Sequence, residues 1–204
     1  MAAASLYLPF LPLLAKQILL NNFLSDIPAL ALASDNVDPD QLRRPRHWDI
    51  HSVRRFMISF GLVSSVFDFA TFAFLILVVH ATSDVFQTAW FVESLLTELA
   101  IVLVVRTHKR LWGSSPSRLL AALALGTGAI AFAIPFAPFA SWFGFVPLPG
   151  PVLAGLLAIT ALYVFVSEVT KTWLFDHGSR GKHRRMAMST HERHTTGKSA
   201  RLSG

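Results

Sequence analysis

Asn22, Ser25 and Asp26 stand at i, i+3 and i+4 within the run ILLNNFLSDIPALALASDNVD. In a helix that spacing gathers an amide, a hydroxyl and a carboxylate on one face. Pro28 follows two residues after Asp26; having no N–H, it leaves the carbonyl one turn earlier, at Leu24, without a helical donor. Oxygen donors of these kinds suit a hard cation such as Mg²⁺, and a chain with no cysteine offers no thiolate for a soft metal. A second run, WFVESLLTELAIVLVVRTHKR, contributes Glu93, Thr97 and Glu98. Glu98, toward the middle of that run, and Thr97 would complete an oxygen cage with Asp26, whereas Glu93 reads as nearer the outer interface and hydrated. The plainer alternative is that these groups only hydrogen-bond adjacent helices.

The elements that must position them are set by composition. The 204 residues are 53% hydrophobic and 15% charged, with a mean hydropathy of +0.51. Such values exclude a disordered chain, and the absence of cysteine excludes a disulfide-stapled secreted domain. Apolar runs cover 2–15, 18–34, 56–79, 89–105, 119–139 and 152–174. The last four suit helices crossing about 30 Å of hydrocarbon at about 1.5 Å per residue. The first two, separated by Lys16 and Gln17 and interrupted by Pro9, Pro12 and Pro28, read as a hairpin with an incomplete first arm. The fold class expected is therefore an all-α integral membrane bundle of five full spans plus one partial span. It fills 1–174, with a basic, disordered tail at 175–204. In this setting the acids of the second and fourth runs lie in hydrocarbon, where an insertion cost of about 2.5 to 3.5 kcal/mol calls for a partner.

Charge gives the orientation. The net charge is +6 and the isoelectric point about 10.3, but the basic residues sit in loops between apolar runs, which is membrane topology rather than nucleic-acid binding. All of the 18 Lys and Arg except Lys16 fall in the two loops after the second and fourth runs, or at the end of the sixth run and beyond it. The turns at 80–88 and 141–150 hold none. This places the tail in the cytoplasm and the protein in the inner membrane, with the lipid bilayer as its first partner. The N-terminus lacks the basic flank of a signal peptide. Asp68 reads as a helix-to-helix hydrogen bonder beside Ser64 and Ser65, Glu168 as an interfacial acid paired with Lys171, and the five Trp as interfacial anchors. TTGKS in the tail lacks the first glycine of a phosphate loop, Glu192 standing there, and His191 and His194 in HERH read as tail residues rather than a metal site. No nucleophile elbow or zinc-protease helix occurs, so no catalytic residue is assigned.

The segments LPFLPLLAKQILLNNFLSDIPALALASDNVD, RPRHWDI, RRFMISFGLVSSVFDFATF and AWFVESLLTELAIVLVVRT resemble the C-terminal membrane half of P-type cation-transporting ATPases, nearest to the bacterial magnesium-transporting branch. The ordered set N-x-x-S-D-x-P, D-N-V-D and F-x-x-S-S-x-F-D carries the likeness, which runs from about Ala4 to Trp173. The resemblance implies the end of the fifth transmembrane helix followed by helices six to ten. It implies that Asn22, Ser25 and Asp26 of the sixth helix, with Glu98 of the eighth, ligate the transported ion, Mg²⁺. At the position of Glu98, magnesium transporters of the family often carry an amide, and the acid here bears on the ion and on proton counter-transport. The family's D-K-T-G-T, T-G-E and P-E-G-L motifs are absent from the sequence, so ATP would act only through domains outside it. The expectation is a truncated or split segment of a pump, complemented by a separately encoded N-terminal portion, and no ATPase by itself. Two alternatives are a non-catalytic membrane partner or scaffold and an unrelated small ion carrier.

Overall fold

The computed structural model describes residues 10–35, 50–107 and 116–199, without the side chains of 34, 51, 52 and 175–199. Every regular element among them is helical. The first, α1 (Ala15–Ala31), is preceded by extended Leu14, whose N–H donates to the Gln17 side-chain oxygen at 3.0 Å. That bond satisfies one of the donors a helix start leaves open. α1 runs through Pro28 and tightens to a 3₁₀ turn only at Leu32–Ser34. The expected break at the proline is thus absent, although Pro28 still leaves the Leu24 carbonyl without its helical donor. The partial arm expected at 2–15 lies mostly outside the described residues; its described end, 10–14, is not helical.

α2 (Ile50–Ala73) closes in a π turn at Phe74–Val78, and His80 turns the chain with φ 50°. α3 (Ser83–Val105) starts after extended Thr82 and carries Asp84 in its first turn, where a negative charge complements the helix dipole. The N-cap of α4 (Arg118–Ala133) is Ser117, whose hydroxyl accepts the Leu120 N–H at 3.2 Å. α4 tightens at Ile134–Phe136, around Pro135. A short α5 (Ala140–Phe143) ends on Gly144, whose φ of +76° is left-handed. Glycine is required there twice over, because a Cβ would also lie 2.8 Å from Leu14 Cδ1. The last helix, α6, is Gly150–Ser199. Its backbone continues beyond 174, where the composition suggests that order ends.

Four helical segments are long and apolar enough to cross a membrane: Val53–Val78, Ser83–Val105, Arg118–Phe136 and Gly150–Leu174. These coincide with the last four apolar runs of the sequence. α1, with 17 residues, is not among them. α3 is the central helix. It packs on α1, α4 and α6, and 56% of its most apolar stretch is buried, against 22% for the spans of α2 and α6. The core joins Phe86, Phe91, Leu95 and Leu99 of α3 to Leu24 of α1, Phe72 and Leu75 of α2, Ala131 of α4 and Leu156 of α6.

Three sequence expectations are corrected here. α3 begins six residues before the run at 89–105, because Gln87 and Thr88 face inward rather than into a turn. The Gln87 amide donates to Leu11 O at 2.7 Å, and the Thr88 hydroxyl accepts the Val146 N–H at 3.1 Å. Glu93 consequently lies near the middle of α3 and is 0% exposed, neither interfacial nor hydrated. Trp90 is likewise a core residue, its ring 4.1 Å from that of Phe72, whereas Trp142 and Trp173 are 78% and 58% exposed, as anchors require. Trp48 and Trp112 lie outside the described residues.

Candidate cation site between α1 and α3

The phase of α1 is set by its buried residues Gln17, Asn21, Leu24, Pro28 and Ala31, which follow one another at the spacings of a single helical face. Asn21 is therefore the amide that meets α3. Its Nδ2 donates to both oxygens of Glu98, at 3.1 Å each, and its Oδ1 accepts from the Ser94 hydroxyl at 3.3 Å. This pattern uses both halves of the amide and fixes its orientation. Ser25 is half-buried beside Glu98, and its hydroxyl also donates to Asn22 O at 3.2 Å.

Asn22 and Asp26 lie on the neighbouring, exposed face of α1. Of the four residues singled out from the sequence, then, Ser25 and Glu98 come together while Asn22 and Asp26 sit at the edge of that contact. Thr97 does not join it. Its hydroxyl donates to the carbonyls of Glu93 and Ser94, at 3.0 Å each, and it lines a cavity on the other side of α3. Among the described residues no three His, Asp or Glu side chains converge. What α1 and α3 present is an oxygen-rich edge of one carboxylate, one amide and one hydroxyl, flanked by a second carboxylate and amide. A hard cation takes such donors together with main-chain carbonyls, and the Leu24 carbonyl is the nearest one that lacks its helical donor. Asn21, overlooked in favour of its neighbour, is the residue that the spacing from Gln17 to Ala31 would have found.

Polar groups fix α1 at both ends. At its start Lys16 Nζ donates to Trp142 O and Gln17 Nε2 to Phe143 O at 3.1 Å, tying α1 to α5. Beyond its end, Asp35 pairs with Arg106 at 3.0 Å through Oδ2 and accepts the Ser117 N–H at 2.7 Å through Oδ1. One carboxylate thereby joins the ends of α1 and α3 and the start of α4. Farther along α6, Lys171 pairs with Glu168 at 2.7 Å, the i, i+3 bond that the sequence suggests. Its Nζ also donates to Val104 O at 3.1 Å, and the lysine is buried.

On the opposite side of α3, Ser64, Phe67 and Asp68 of α2, Glu93 and Thr97 of α3 and Tyr163 of α6 line a cavity with room for about one water. Ser64 Oγ and Tyr163 Oη are 3.0 Å apart. Asp68, expected to link helices beside Ser64 and Ser65, faces this cavity, whereas Ser65 donates to Gly61 O of its own helix at 2.9 Å.

The sequence matches the family model for the C-terminus of cation-transporting ATPases over residues 10–173. The P-type 1 magnesium-transporting ATPase of Escherichia coli (strain K12) is 36% identical over 176 residues, covering 82% of this chain and 19% of that protein. The protein of the same name from Salmonella typhimurium (strain LT2) is 38% identical over 174 residues, with the same coverage. A putative cation-transporting ATPase, MJ1226, of Methanocaldococcus jannaschii is 33% identical over 127 residues, 61% of this chain and 15% of that one. The chain thus spans only 19% of the length of the magnesium-transporting relatives. With its apolar helices and this match over nearly the whole described bundle, the chain belongs to the family of P-type cation-transporting ATPases, in the part that forms their C-terminal membrane region.

Proposed function

We propose that this chain is the C-terminal membrane domain of an ATP-driven pump for Mg²⁺, five full spans and one partial span of it. Asn22, Ser25 and Asp26 of α1, with Glu98 of α3, are its contribution to the ion's oxygen ligands. The reading is supported most by one observation: the Glu98 carboxylate is held against α1 by Asn21, one turn from Ser25 and beside the Asn22 and Asp26 edge. Magnesium is named in the relatives at 36% and 38% identity, and the donor chemistry is that of a hard cation.

In this reading Asn21 is a positioning residue that holds Glu98, and the exposed edge of α1 meets the remaining ligands from pump segments outside the chain. ATP hydrolysis belongs to such segments. A twist or bow of α1 against α3 would open or close the site, with ATP-driven rearrangement of the other pump segments biasing one arrangement over the other. The protein lies in the cytoplasmic membrane with residues 175–204 as a cytoplasmic tail, because the basic residues gather on that side. The experiment is Mg²⁺ uptake by vesicles holding an intact pump that contains this segment, with Asp26→Asn introduced. Uptake should fall about tenfold or more; unchanged affinity and rate would remove Asp26 from the site.

A further inference from the structure

Glu93 has no part in the site between α1 and α3. It is 0% exposed, and neither carboxylate oxygen has a hydrogen-bond partner among the described residues. It faces the cavity between α2, α3 and α6, where half-buried Asp68 supplies a second carboxyl and Ser64, Thr97 and Tyr163 supply hydroxyls. Among the described residues no Lys, Arg or His lines that space. Arg106 and Lys171, buried elsewhere, are held by Asp35 and Glu168. A carboxylate removed from water without a partner is strongly disfavoured, and here two carboxyls meet in one space. Something of positive charge must therefore enter.

Size and donors decide what enters. Mg²⁺ demands near-octahedral oxygen coordination and keeps several waters, but the cavity has room for about one. Thr97 is already turned to the carbonyls of its own helix, and Ser64 is engaged with Tyr163. A proton and a single water need no more than the space and partners present. We propose that this cavity is an intramembrane proton site, in which Glu93 and Asp68 share one exchangeable proton through a bound water. The proton leaves a Glu93 oxygen for the water as the water passes one of its own to the Asp68 carboxylate, so charge is conserved within the pair. When Asp68 holds it, the Thr71 hydroxyl, buried beside Glu93, is placed to donate to the charged Glu93 carboxylate. Among the described residues the ionisable groups that face Glu93 are Asp68 from α2 and Tyr163 from α6; Glu98, on the other side of α3, acts on it only through its charge. All the lining residues belong to this chain, so the site stands independently of the Mg²⁺ ligands proposed for α1.

The test is infrared spectroscopy of the full chain in lipid bilayers, following the carbonyl stretch of a protonated carboxylic acid and its shift on exchange into D₂O. The wild-type chain should show an exchangeable band that is lost in Glu93→Gln, a near-isosteric change that keeps the cavity filled. In Asp68→Asn, which leaves Glu93 in place, the band should remain but move, because the sharing partner has changed. A band untouched in Glu93→Gln would overturn the assignment, and so would an Asp68→Asn band at the wild-type position. Loss of the wild-type band on adding MgCl₂ would also overturn it, by assigning the cavity to the metal.

Discussion

Two adjacent asparagines divide the work on α1. Asn21 is buried and holds both oxygens of Glu98, whereas Asn22 is exposed. Removing Asn21 leaves a partly buried carboxylate short of its donors, a loss of about 1 to 3 kcal/mol, while a surface change commonly stays within about 0.5 kcal/mol. Asn21→Leu should therefore lower the melting temperature of the chain in lipid nanodiscs, and Asn22→Leu should leave it nearly unchanged. The reverse order would mean that the helix phase described here is wrong. Equal chemistry at neighbouring positions hides such a difference from composition, and only the phase of Gln17, Leu24, Pro28 and Ala31 separates them. Glu93 was harder to read. Its setting depends on how far α3 extends before it, and that depends on Gln87 and Thr88 finding inward partners, Leu11 and Val146, distant in sequence.

Among the elements, the long apolar runs were the most legible, since about 20 apolar residues in sequence leave little choice but a spanning helix. Their ends were less so. The π turn at Phe74–Val78 has no marker in its sequence FLILV, yet it places Phe74 directly against α6. A Cβ built on Gly155 would lie 2.3 Å from Phe74 Cζ, so the crossing of α2 and α6 depends on a missing methyl group. Gly155→Ala should cost about 1 to 3 kcal/mol through overpacking, read as a lower melting temperature. Gly155→Ala combined with Phe74→Leu should recover part of that loss, and no recovery would place the fault elsewhere. The proline in α1 taught the opposite lesson: a strong local breaker is accommodated where the buried face of a helix is held by its neighbours.

For the whole molecule, the two sides of the bundle follow from where the charges lie, and the chain's lack of cysteine makes this directly measurable. Single variants Ser141→Cys and Ser179→Cys, labelled with a membrane-impermeant maleimide in intact cells and then after lysis, should react from opposite sides. Labelling of Ser179→Cys in intact cells would invert the topology. Purified alone, the chain should give no vanadate-sensitive ATP hydrolysis, and measurable turnover would show that it carries an engine of its own. α1 is pinned near both tips, by Lys16 and Gln17 to α5 and by Asp35 to Arg106 and Ser117, points about 28 Å apart at 1.5 Å per residue. A rod clamped in this way cannot slide between its neighbours; it can twist or bow. Torque applied at the Asp35 clamp would be felt first where the rod is softest, around Pro28, within a turn of Ser25 and two turns from Asn21, the residues that meet Glu98.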